Sequence, residues 1–518
     1  MLLIYNANIY TVDYQKPWAN AMVFEDDSIV AVGDYKEIKN NFKINSSINL
    51  NGKTVLPGFF DAHAHVWKIG DLLTNNLDLR GVTSILEIQH KLKLFAKKNP
   101  NLKWIRARGF NDAIMEEGKL PTKQDIDVVI SDKPVFLQRT CAHIATLNSK
   151  ALEICNINKN TTVPFGGRVD MDDIGNPNGI LRETALGLAL KYFHKTTEEE
   201  YEKIILAACN EFVKCGVTSV SDPAVMPDLL EVYKKMDKQG KLPIRIHAFP
   251  IIIPDGDDNP LPIPQKYESD KLLINTVKFF SDGGLSGQTA ALSKTYKNSN
   301  KKGILRLNKK VFFNAALASQ NKGFQIATHA IGDAAIDFVL DVYEKLYRHN
   351  SDAPKHRIEH LGLPTKFQLQ RIKKIGVHIV TQPIFIKEFG KNFRDSLKDV
   401  YLDFCYPFKS MLDHNINVSF STDAPVVKDL RPLSCIEAAI TREDENGFTI
   451  SSNEKVSLEQ AIYCYTMGSA LASNVAHQQG SLTKGKKADF VVLSKNIFES
   501  KIRDVNIDQV WINAKRIV

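Results

Sequence analysis

The stretch LPGFFDAHAH, residues 56–65, ends an apolar run on two histidines one residue apart. Along a strand, side chains at i and i+2 share a face. His63 and His65 then stand side by side, where two imidazoles can grip one cation. Two ordinary histidines at a strand end would look the same, because histidine serves many roles. The rest of the chain must decide. Other predicted strands also finish on groups that ligate metals: His329 in GFQIATHAIGD, His360 in KHRIEHLG and Asp423 in INVSFSTDAP. Lys278 lies in INTVKFFSDGG. A set of imidazoles with one carboxylate is a nitrogen and oxygen donor set. It suits a divalent metal, zinc first, and also iron, manganese or nickel. Of the thirteen histidines, those at 90, 194, 349, 414 and 477 fall in predicted helices or loops and read as surface or cap residues.

The elements that carry these residues alternate. Predicted strands cover 215–224, 243–251, 274–284, 323–333, 355–362, 376–383 and 416–425, with helical stretches between them. One such stretch, GDAAIDFVLDVYEKLYRH, places Ile336, Val339, Leu340 and Tyr343 at i, i+3, i+4, i+7, the spacing of an amphipathic helix. With VLPGFFDAHAH the strands number eight. Repeated βα units of that number predict an α/β fold, a (β/α)8 TIM barrel, whose strand ends converge on one mouth. The two chain ends are β-rich and predict a small composite β-sandwich from residues 1–55 and 478–518. The barrel spans 56–477. The interval from about 68 to 205 is too long for one crossover and predicts an inserted helical segment, with some strand, over the barrel mouth.

Composition bounds the function. The 518 residues are 43% hydrophobic and 24% charged, as in an ordinary globular protein. The formal charge of +8 is spread along the chain, without the arginine-rich stripe of a nucleic-acid binder. No window approaches the roughly 18 apolar residues of a membrane span. The start, MLLIYNANIYTVD, lacks the features of a signal peptide. Seven dispersed cysteines without a CxxC pair predict a reducing, cytoplasmic setting. Nothing in the sequence fixes the oligomeric state; a homodimer is carried as the expectation.

The chain resembles the amidohydrolase superfamily, most closely the amidohydrolase-3 branch that includes N-substituted formamide deformylases. The resemblance rests on LPGFFDAHAH, NNLDLRGVTS, WIRARGFND, PVFLQRTCAHIATLNSKAL, GNPNGILRE, VKFFSDGGLSG, ATHAIGDAAID, HRIEHLG, STDAPV and GKKADFVVL. It implies metal-dependent hydrolysis of a carbon–nitrogen bond in a small-molecule amide or formamide. It further implies that His63, His65 and Asp423 hold one metal and His329 and His360 a second. Lys278 would bridge the two if CO₂ carboxylates its amine. Asp423 would take a proton from the attacking water and pass it to the leaving nitrogen. A cyclic amidase or deaminase of the same superfamily is the alternative, and a non-catalytic metal-binding regulator is another. Where similar sequences carry an arginine, in SGRTA-like form, this chain has Gln288.

Other residues read less sharply. His143, in RTCAHIATLNS, is a candidate substrate contact or second donor to the oxyanion. His247, inside a strand, reads as core packing. Glu359 is expected on the face of its strand opposite His360, in a structural role with an arginine. Asp222 reads equally as a mouth residue or a helix-start signal. Asp282, Gly283 and Gly284 read as a turn.

Overall fold

The structure is a computed structural model and describes residues 1–164, 167–193, 195–254 and 259–518. His194 lies outside them. Eight parallel strands run through the middle of the chain: β1 (Phe59–Asp61), β2 (Val217–Val225), β3 (Arg245–Pro250), β4 (Thr276–Phe280), β5 (Gln325–Ala330), β6 (Arg357–His360), β7 (His378–Thr381) and β8 (Val418–Phe420). They form two sheets, one holding β1, β2 and β3 and the other running from β4 to β8 in order. Leu272–Ile274 pairs with β3, and the chain then continues directly into β4, which pairs with β5. At the other seam the Ala62 N–H donates to the Phe420 carbonyl at 3.4 Å. The architecture is an α/β, TIM-barrel-like fold.

Helices follow most strands: α1 (Val66–Thr74) after β1, α2 (Glu198–Lys214) before β2, α3 (Pro227–Lys238) after β2 and α4 (Lys309–Asn321) after β4. Then come α5 (Asp333–His349), α6 (Lys366–Ile375), α7 (Ile384–Ser396) and α8 (Pro432–Thr441). Helix α5 buries Ile336, Val339, Leu340 and Tyr343, the stripe its sequence spacing predicts. Each such side chain contributes roughly 1.5–3 kcal/mol by leaving water. Helix α2 starts on a capping box, in which Thr197 accepts from the Glu200 N–H and the Glu200 side chain accepts from the Thr197 N–H.

The two ends of the chain share one eight-stranded sheet. Its first strand, Leu2–Tyr10, pairs with Ser46–Asn49 along its first half and with Thr54–Pro57 along its second. The fork falls beside Asn6, whose φ is 51°. Phe490–Leu493 continues the sheet from Thr54–Pro57, so residues more than 430 positions apart are neighbours.

The segment after α1, expected to be helical with some strand, holds more strand than that reading gave it. It is organised on a six-stranded mixed sheet that runs from Leu77–Asp78 to Pro177–Glu183. Its strands are short, and Ile144–Leu147 is buried at every position. Strands covered on both faces lose the alternation that marks a strand in sequence. This sheet is tied to the loop after β8: Arg80 Nη1 donates to the Val427 carbonyl at 3.0 Å, and Thr140 Oγ1 donates to that of Val426 at 2.9 Å.

Candidate metal centre

The ends of β1 and β8 are fastened together before any ligand is considered. Asp61, fully buried, accepts from the His63 N–H, the Thr422 N–H and the Thr422 hydroxyl. The Asp423 N–H donates to the His63 carbonyl at 2.7 Å, and the His65 N–H to that of Ala424 at 2.8 Å. These bonds bring His63, His65 and Asp423 together. The Asp423 Oδ1 lies 3.4 Å from His63 Nε2 and 3.3 Å from His65 Nε2. His360 joins them: ligand atoms of His63, His360 and Asp423 all lie within 4.8 Å of one another. The His329 ring is 4.4 Å from that of His360, centroid to centroid. Lys278 is fully buried, with its Nζ 4.7 Å from the centre of the Phe280 ring. His63 and His360, which the resemblance gives to different ions, thus both come near Asp423.

Hydrogen-bond partners fix which nitrogen each histidine presents. His63 Nδ1 is 2.5 Å from a Glu359 oxygen, His65 Nδ1 is 3.2 Å from the Pro223 carbonyl, and His360 Nδ1 is 2.8 Å from Gln382 Oε1. All three partners are acceptors, so each Nδ1 carries the proton and each Nε2 a lone pair. Gln382 is oriented by its own amide, which donates to Ser421 Oγ at 2.9 Å. Burial pushes the four imidazoles well below their usual pKa, with the Lys278 ammonium adding to the effect at each. Neutral imidazoles thus turn lone pairs toward the Asp423 carboxylate, whose Oδ1 is buried and has no hydrogen-bond donor among the described residues. Acceptors facing acceptors are repulsive unless a cation lies among them. Burial raises the Asp423 carboxyl to about 7, against the pull of Lys278. Lys278 Nζ likewise has no hydrogen-bond partner among the described residues, and burial lowers it to about 8. The residues fit a divalent cation on these grounds. His329 differs: its Nε2 is 3.1 Å from the Gly283 carbonyl, which leaves Nδ1 as its remaining ring nitrogen.

Several supporting residues escape sequence reasoning. Glu359 was expected on the far face of β6. Instead it points inward, in register with His329, and its carboxylate takes both Arg357 and His63. His360 reaches the same mouth because its φ is 77°, which breaks the strand's alternation. Asp222 acts at a helix start, though that of α1 and not of the helix that follows it in sequence. It accepts from the Val66 N–H at the start of α1 and from the Tyr233 hydroxyl. Asp282 caps the N–H groups of Ala291, Ile331 and Gly332, and a Cβ on Gly332 would lie 1.9 Å from the Ala291 carbonyl. His247 is core, its ring against Phe60. Gln382 and Asp61, polar residues at strand ends, were readable in principle as orienting groups.

The histidines and Asp423 line a cavity of about 660 Å³. The inserted sheet supplies another wall, including Arg106, Arg108, Gln138, His143 and Glu183. His143 is there as a pair, its Nδ1 3.1 Å from Glu183 Oε2. Glu183 has φ 52° at the end of its strand. Phe385, Phe389, Phe393 and Tyr406 make an apolar side, with Phe385 stacked on His360.

Comparison with known proteins agrees with this geometry. A family model described as Amidohydrolase family matches residues 47–518. The chain is 26% identical to the N-substituted formamide deformylase of Arthrobacter pascens, over 99% of this chain and 97% of that protein. It is 29% identical to the LONG AFTER FAR-RED 3 protein of Arabidopsis thaliana, over 98% of this chain and 89% of the other. The crystal structure of an uncharacterized metal-dependent hydrolase from Pyrococcus horikoshii superposes with a TM-score of 0.79 at 27% identity, over 97% and 99% of the two chains.

Proposed function

This chain belongs to the amidohydrolase family, and from that premise we propose that it is a metal-dependent hydrolase of a non-peptide carbon–nitrogen bond, with a linear amide or formamide as substrate. One observation carries the reading: neutral imidazole lone pairs surround a buried carboxylate oxygen in the wall of a large cavity. His63, His65, His360 and Asp423 would hold the ion, with His329 and Lys278 beside it, and zinc suits the set best. When bound, such an ion supplies Lewis acidity, which polarises a carbonyl and lowers the pKa of water from about 15.7 to about 7.

The chain's own residues do the rest. Asp423, its Oδ1 beside the His63 and His65 nitrogens, is placed to accept a proton from water and return it to the leaving nitrogen. Glu359, Pro223 and Gln382 hold three imidazoles in one tautomer. His143, held at Nδ1 by Glu183, is oriented to offer its other nitrogen to a substrate oxygen. Lys278, as a neutral amine, can attack CO₂; a nitrogen–carbon bond forms, one proton leaves, and a carbamate oxygen replaces a repelling ammonium. Retention of Asp423 favours an enzyme over a regulator, which has no use for a buried proton acceptor.

The test is a panel of linear formamides, linear amides, cyclic amides and aminated heterocycles. The purified protein is assayed as isolated, after chelation, and after return of zinc, manganese, iron or nickel. Amine release from linear substrates, lost on chelation and restored by metal, is expected. Activity confined to cyclic amides or aminated heterocycles, or activity indifferent to chelation, contradicts the proposal.

A further inference from the structure

The inserted sheet turns two arginines toward the cavity. Arg106 and Arg108 stand at i and i+2 of the strand Ile105–Phe110 and share its cavity face with Phe136 and Gln138 of the neighbouring strand. The opposite face, with Ile105, Ala107, Val135 and Leu137, packs into an apolar cluster. Arg106 is matched: its Nη2 donates to Asp71 at 2.9 Å. Arg108 is not. It is 8% exposed, and among the described residues its Nη1 meets only Gln138 Oε1, at 3.3 Å, while its Nε and Nη2 have no acceptor.

The carboxylates of the same cavity are engaged elsewhere. Asp71 is held by Arg106, Glu183 by His143, and Asp228 receives the Tyr201 hydroxyl. Asp423 faces His63 and His65, and it and Asp71 attract Arg108 through space without a hydrogen bond to it among the described residues. A buried guanidinium without a carboxylate is costly unless something in the cavity supplies one. Burial does lower its pKa, to about 10, which leaves it a cation at neutral pH. Its position is fixed relative to the metal centre, because the sheet is pinned to Val426 and Val427, just beyond Asp423.

We propose that Arg108 anchors an anion subsite, and that the substrate is an amide carrying a carboxylate. This rests on the reading of the site as an amide hydrolase. The planar fork of a guanidinium matches the two oxygens of a carboxylate. The amide is then presented to the histidines by one arm of the substrate held at Arg108, and the Phe385, Phe389 and Phe393 wall receives the apolar arm.

Binding of methyl ketones tests this without turnover, since a ketone mimics the amide carbonyl and cannot be hydrolysed. The probes are methyl ketones ending in a carboxylate, with two to six methylenes between, each paired with an uncharged alkanone of equal length. Calorimetry on the purified protein gives the affinity ratio within each pair. For at least one length, wild type should favour the carboxylate by about 10-fold or more, the scale of hydrogen bonds to a charged group. Arg108→Gln should bring that ratio to within about 3-fold, and Arg108→Lys should recover part of it. Equal affinities in wild type at every length overturn the proposal, as does a ratio that survives in Arg108→Gln. If Arg108→Gln does not fold, Arg108→Lys decides: an undiminished ratio in that variant overturns it. The subsite stands or falls on these ratios, whereas the hydrolase reading stands or falls on the amide panel.

Discussion

Glu359→Gln isolates the part played by a residue that touches no substrate. The Glu359 carboxylate takes Arg357 Nε at 2.5 Å, Arg357 Nη2 at 3.0 Å and His63 Nδ1 at 2.5 Å, all with both partners buried. Glutamine keeps the shape but has one oxygen and no charge. If its oxygen serves Arg357, its amide N–H₂ meets His63 Nδ1, and the imidazole must move its proton to Nε2. The lone pair then leaves the side that faces Asp423. Loss of such an orienting partner lowers metal affinity by about 10- to 100-fold. The buried Arg357 is also left without its counter-charge, a destabilisation of about 3–5 kcal/mol. Adding Arg357→Met removes the stranded charge, so the double variant should regain most of the stability but not the metal affinity. Chelator competition with zinc and thermal melts read the two effects separately. A Glu359→Gln protein that binds zinc within about 3-fold of wild type and melts with it would refute the tautomer argument.

Three further outcomes are expected. Lys278→Ala should lose metal and activity, and short carboxylic acids should restore part of both by filling the vacated oxygen-ligand space; a variant with undiminished metal and activity would exclude a carbamate ligand. Asp423→Asn, with metal content verified, should lower kcat at least about 10²-fold, because the amide cannot accept the proton; turnover within a few-fold of wild type would move the proton to another group, His143 first. His356 is buried and lowered to about 3 by burial, from about 6.5 unfolded, so only the unfolded chain takes up its proton between those values. Its contribution is fully present above pH 6.5 and is lost as pH falls toward 3, at about 1.4 kcal/mol per pH unit. His356→Gln, which can still accept from the Ile326 N–H and donate to Gln320, should flatten the fall of melting temperature with acid. Parallel profiles for the two proteins would contradict that.

Much of the site was legible because strand alternation is a simple rule. His63 and His65 share a face by spacing alone, and the eight predicted strands all occur. What escaped did so where the backbone leaves the rule. His360 and Glu359 are adjacent, yet both serve the site, because φ at His360 and Leu361 is positive. A histidine gives no hint of that conformation, as a glycine or asparagine would. The inserted segment reads as helical with some strand, and the extent of its sheet is hidden because strands such as Ile144–Leu147 are buried at every position and show no alternation. Arg108 was a missed signal of the readable kind. Two arginines at i and i+2 in a short apolar strand mark one polar face.

Elemental analysis of the purified protein beside a His63→Ala/His65→Ala variant tests the metal centre most directly. Wild type should hold one or two equivalents of a transition metal, zinc foremost, and the folded variant should hold markedly less. Equal metal content in the two proteins would contradict the assignment of the site.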